Sequence, residues 1–112
     1  MDPDRNNDRM RIELLHIDDC PNTAKALDQV VAALAALGHD DVPVHLRHIK
    51  SSADTAGTGF AGSPTITVDG TDIFPDGAPS SDLACRIYPT PGGHAGVPTV
   101  DQVMEALTNH GL

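Results

Sequence analysis

Cys20 and Cys85 are the two thiols of this chain, and thiol chemistry is the richest its residues offer. Cys20 lies in the run His16-Ile17-Asp18-Asp19-Cys20-Pro21-Asn22-Thr23. An apolar segment ends just before it, and Pro21 suits the first position of a helix, where a missing N–H costs nothing. A helix N-terminus carries unpaired N–H groups and about half a positive charge. A thiolate placed there is stabilised, its pKa falls, and it becomes a nucleophile at neutral pH. Asp18 and Asp19 act in the opposite direction, because carboxylates beside a thiol favour its protonated form. No Lys or Arg is adjacent, and Lys25 is more than a turn further on. His16 would help the thiolate if it were charged and faced it; a core histidine at the strand end is the plainer reading.

Cys85 ends the apolar run Leu83-Ala84-Cys85, so it reads equally as a small buried hydrophobe or as a second reactive thiol. Arg86 beside it could pair an acidic side chain, lower the thiol pKa or hold a substrate carboxylate. A surface ion pair is the plainest of these. The six histidines do not assemble a metal motif. His45 and His48 are three apart on a strand and point to opposite faces, while His39, His94 and His110 fall in loops or at a helix end. No C-x-x-C or H-x-x-x-H spacing occurs, so no structural zinc site is expected, though two thiolates would suit a soft ion. No serine stands in a G-x-S-x-G elbow, and no phosphate-binding GxxxxGK[ST] loop is present.

The elements that must position these residues follow from the hydrophobic pattern. Arg11–Ile17 is apolar on both faces, as a central strand of a covered sheet is. Ala24, Leu27, Val31, Leu34 and Leu37 recur at helical spacing, and Gly38 stops the run, which predicts a helix over 21–37. Val42–Ile49 alternates as a second strand, and Ser52–Phe60 has room for a short helix that Gly57 and Gly59 weaken. Thr65–Val68 and Thr71–Phe74 flank Asp69-Gly70, a favoured two-residue hairpin turn. Residues 75–81 are turn-rich, Leu83–Tyr88 is ambiguous between strand and loop, and Pro89–Gly96 reads as loop. Thr99 and Gln102 form a capping box that opens a last helix to Asn109. The expectation is an α/β domain of order β-α-β-α-β-β-α, with a mixed sheet of about four strands and helices on both faces.

With 112 residues the chain suits one domain, expected over 11–112 behind a polar tail at 1–10. That tail lacks the apolar core of a signal peptide, and no segment is long and apolar enough to span a bilayer. Seven basic against 16 acidic residues give a net charge of −9, which argues against nucleic acid and anionic membranes as partners. Two cysteines are too few for a secreted disulfide scaffold, so a cytoplasmic setting is expected.

This order of elements resembles that of the thioredoxin-like superfamily. Three features carry the likeness: a cysteine between the first central strand and the first long helix, Gly62-Ser63-Pro64-Thr65 just before the hairpin, and the closing helix. The resemblance extends over about residues 11–110. More narrowly, Cys-Pro-Asn, Phe-x-Gly-Ser-Pro-Thr-Ile and Cys-Arg-Ile-Tyr look like a group of small bacterial thioredoxin-like proteins, some designated thioredoxins and some alkylmercury lyases. The likeness implies a cis peptide bond before Pro64 and a backbone shelf at Ser63, Pro64 and Thr65 that pairs with a bound peptide or glutathione. It implies Cys20 as nucleophile and Pro21, Asn22 and Thr23 as its support, and it calls for no cofactor.

The chain departs from the dithiol pattern, since Thr23 stands where a second cysteine would resolve the mixed disulfide. Cys20 then acts as a monothiol, or Cys85 resolves it from beyond the hairpin. The expected function is thiol–disulfide exchange with protein or small-molecule partners, glutathione among them. The alternatives are a non-catalytic module that binds a peptide or partner in the cis-proline groove with Cys20 inert, and a soft-metal or organomercurial site at the two thiols. The chain is far shorter than organomercurial lyases, which counts against the last.

Overall fold

The computed structural model describes residues 11–18, 20–74, 81 and 83–112. The polar tail at 1–10, Asp19 and the turn-rich stretch 75–80 lie outside the described residues. Strand β1 (Ile12–His16) is the centre of the sheet. Helix α1 (Thr23–Ala36) carries the chain to β2 (Val44–His48), which pairs with β1 in parallel from Ile12↔Val44 to His16↔His48. On its other side β1 pairs antiparallel with β3 (Thr65–Val68), and β3 turns into the short β4 (Thr71–Asp72). The sheet order is β2-β1-β3-β4, mixed and four-stranded as expected.

The turn between β3 and β4 is the expected Asp69-Gly70 pair, with φ of 53° and 83°. Two consecutive left-handed residues match the twist of the flanking strands. Strand β4 stops at Asp72, short of the expected Phe74, because the Asp72 carboxylate accepts the Phe74 N–H at 3.0 Å and draws the backbone off the ladder. A second hairpin, β5 (Tyr88–Thr90) and β6 (Gly93–Ala95), replaces the loop expected over 89–96. Pro89 is tolerated there because a two-stranded ribbon leaves edge positions without a ladder partner. Helix α2 (Val100–Asn109) begins on the expected capping box, with the Thr99 hydroxyl accepting the Gln102 N–H and the Gln102 side chain accepting the Thr99 N–H.

One buried cluster joins the sheet to both helices: Ile12, Leu14, Ile66 and Val68 meet Val30 and Leu34 of α1 and Val103 and Leu107 of α2. The two helices also pack against each other. The other face of β1 carries Leu15, which packs with Ile49 and Phe60. The expectation of helices on both faces is therefore corrected. Among the described residues both α-helices share one face, and the segment 49–60 covers the other with a single 3₁₀ turn, Ser52–Thr55. Gly59 shows why no longer helix forms there. Its φ is 81°, and a Cβ on it would come within 2.8 Å of the Gly70 carbonyl oxygen in the hairpin turn. Among the described residues no helix is long and apolar enough to cross a membrane.

Candidate active site

Cys20 is half-buried in the connection from β1 to α1, two residues before the N-cap of the helix, Asn22. Burial pushes its thiol pKa up. Hydrogen bonds from the Ser63 hydroxyl, the Asn22 backbone N–H, the Thr23 hydroxyl and the Cys85 thiol more than offset that, and the net shift is downward. Each of these groups carries a hydrogen that favours the thiolate over the thiol.

Two of these donors are set by what surrounds them. The Ser63 hydroxyl accepts the Ile17 N–H at 3.2 Å, which leaves its own hydrogen for the sulfur. The Thr23 hydroxyl is buried and makes no hydrogen bond among the described residues, so it is free to turn toward a thiolate at Cys20. Asn22 is fixed from behind by Gly96: any Cβ at Gly96 would fall 2.2 Å from the Asn22 side-chain nitrogen. Asp18, one of the two carboxylates expected to oppose the thiolate, is turned to His48, with Oδ1 2.7 Å from Nε2. His16 is half-buried rather than a core residue and stacks on His48, ring centroids 5.2 Å apart. These contacts hold Asp18 and the two histidines together at the strand ends.

The Ser63–Pro64 bond is cis, as the resemblance implies. Ser63 is fully buried, and both of its backbone groups are used within the chain. Its N–H donates to the Ala84 carbonyl at 2.8 Å, and its carbonyl accepts the Arg86 N–H at 2.9 Å. Ser63 and Cys85 thus form a parallel bridge that carries the second thiol to the first. The two cysteines, remote in sequence, meet as free thiols, with Cys85 exposed. Pro64 and Thr65 are buried, and Thr65 bonds back to the Gly62 carbonyl and to the Ala61 N–H. The shelf expected to hold a substrate backbone at Ser63, Pro64 and Thr65 is filled by residues 84–86.

Arg86 departs from both a surface ion pair and a substrate ligand. It is 6% exposed. Its guanidinium bonds Asp72 Oδ2 at 2.8 Å and the Phe74 carbonyl at 3.2 Å, and lies 4.6 Å from the centroid of the Tyr88 ring. Tyr88, the single tyrosine, donates its hydroxyl to the Pro64 carbonyl. Asp72, Tyr88 and Gly62 are site-building residues that sequence reasoning does not single out. Gly62, at φ 106°, lets the 84–86 segment approach, since a Cβ there would sit 2.9 Å from the Arg86 Cβ. The one available signal was the Gly-Ser-Pro run itself. Among the described residues no group of three or more His, Cys, Asp or Glu side chains is arranged to hold a metal ion.

The chain matches no known family model, no curated protein and no solved structure.

Proposed function

We propose that this protein is a thiol–disulfide exchange protein on a thioredoxin-like frame, with Cys20 as nucleophile and Cys85 as resolving thiol. The observation that carries the reading is the bridge between Ser63 and Cys85, which brings the second thiol to the first, among the groups that lower the Cys20 pKa. A lowered pKa raises the thiolate fraction at a given pH, and a neighbouring thiol supplies the second step. In that step Cys20 thiolate attacks a disulfide RS–SR, forms Cys20–S–SR and releases RS⁻. Cys85 loses its proton, attacks the Cys20 sulfur and expels the second RS⁻. The protein dithiol is oxidised to the Cys20–Cys85 disulfide and the partner is reduced to two thiols.

The peptide-binding alternative is less well supported, because both Ser63 backbone groups are already engaged. The soft-metal alternative draws on the same pair of adjacent thiols. One experiment separates them: the pH profile of Cys20 alkylation in wild type and Cys85→Ser, with and without Hg²⁺, alongside thiol counts after oxidation. Exchange chemistry gives a Cys20 midpoint below that of a free cysteine and an oxidised form that Cys85→Ser cannot make. An ordinary midpoint with no disulfide overturns it. Protection of both thiols by metal, without a disulfide under oxidants, favours the metal reading.

A further inference from the structure

We propose that the partner disulfide carries an apolar substituent, which is received on the outer face of residues 83–87 beside Cys85; the inference rests on the exchange reading above. A peptide that docks beside a sheet needs free N–H and C=O groups on the receiving backbone. The groups next to Cys20 belong to Ser63, and Ala84 and Arg86 already use both. This occupant is anchored. Arg86 is buried against Asp72, Phe74 and Tyr88, and Gly62 admits it to within van der Waals contact. A substrate therefore reaches the thiols from solvent, over the outer face of residues 83–87.

That face is apolar. Leu83 is 38% and Ile87 67% exposed, and Cys85 between them is exposed as well, while Arg86 turns inward. Alternate residues of a strand-like segment share one side, so Leu83 and Ile87 flank the Cys85 thiol. The one cation of this segment, Arg86, is engaged with Asp72, and the chain carries a net charge of −9. Nothing in segment 83–87 therefore offers a charge to an anionic substrate, whereas two aliphatic side chains offer contact to an alkyl group.

The test uses reduced full-length protein and two chromogenic mixed disulfides that share the 5-thio-2-nitrobenzoate leaving group: with N-acetylcysteine amide and with butanethiol. Each single-turnover rate is divided by the rate of the same probe with a free thiol in solution. The butyl probe is expected to react about fivefold faster than the capped cysteine, the ratio given by burying ~40 Å² of apolar surface. The butyl advantage is expected to vanish in Leu83→Ser/Ile87→Ser, both exposed positions. A butyl probe no faster than the capped cysteine overturns the apolar preference. Failure of Cys20 to react with either probe overturns the exchange reading itself, and this inference with it.

Discussion

At the scale of single residues, the chemistry turns on how many donors face one sulfur. Ser63 is the most consequential, since its hydroxyl is oriented by the Ile17 N–H and spends its hydrogen on Cys20. Ser63→Ala is expected to slow Cys20 alkylation at neutral pH about tenfold, as losing a hydrogen bond to a charged group would, with a smaller effect at high pH where any thiol ionises. The pH dependence of stability follows the same sign. Because the Cys20 pKa is lowered in the folded state, its ionisation stabilises the reduced fold. That contribution is complete above the unfolded thiol value of about 8.5 and is lost as pH falls through the folded value. Urea midpoints of reduced wild type relative to Cys20→Ser should therefore rise with pH. Cys20 was legible in the sequence because a strand end and a helix start identify it locally. Its donors Ser63 and Cys85 were legible as residues but not as neighbours, since only the tertiary pairing brings them to the sulfur. Arg86 read as a surface charge because its partner Asp72 sits on another element.

At the scale of elements, the segment 84–86 behaves as part of the fold, and its anchor is the Arg86–Asp72 pair, with side chains 5% and 14% exposed. Truncating one member of a buried pair leaves the other charge uncompensated, at a cost of about 3 kcal/mol or more. Arg86→Ala should show that loss in urea unfolding, and Arg86→Ala/Asp72→Asn should recover part of it, because the orphaned carboxylate is gone. A loss confined to a few tenths of a kcal/mol would mean the segment is held by its backbone bonds alone. Elements with local signals were readable in advance: the Asp69-Gly70 turn, the Thr99–Gln102 capping box and the long apolar stripe of α1. The hairpin of β5 and β6 was not, because three-residue strands containing Pro89 and Gly93 carry no periodicity to detect.

At the scale of the whole molecule, two asymmetries stand out. Both α-helices lie on one side of the sheet, while the other side closes with the segment 49–60 over Leu15. The sequence offered no means to see this, because the apolar residues of β1 on both faces are satisfied equally by a helix or by a packed loop around Phe60. The second asymmetry is charge. At −9 the surface repels anions over about 10 Å at 0.1 M salt. Oxidised glutathione, an anion, should oxidise the dithiol faster as salt is raised from 20 mM to 500 mM, whereas an uncharged dialkyl disulfide should be insensitive to salt. Equal salt responses would show that the field at the thiols is set locally and not by the net charge.

The bridge between Ser63 and Cys85 has one more consequence, and it concerns time. A thiol tethered beside its target behaves as if present at an effective concentration far above that of dissolved thiols, which short tethers bring to the millimolar range or beyond. Cys85 is tethered in this way, by two backbone hydrogen bonds rather than by a flexible linker. On the proposed exchange reading, an adduct formed on Cys20 should be displaced from within before a micromolar external thiol encounters it. Rapid-quench mass spectrometry should find the wild-type protein passing from dithiol to internal disulfide with no accumulated adduct. Cys85→Ser, in contrast, should hold the adduct until external thiol is supplied at millimolar concentration, making that variant the means of capturing the natural partner in its bound form.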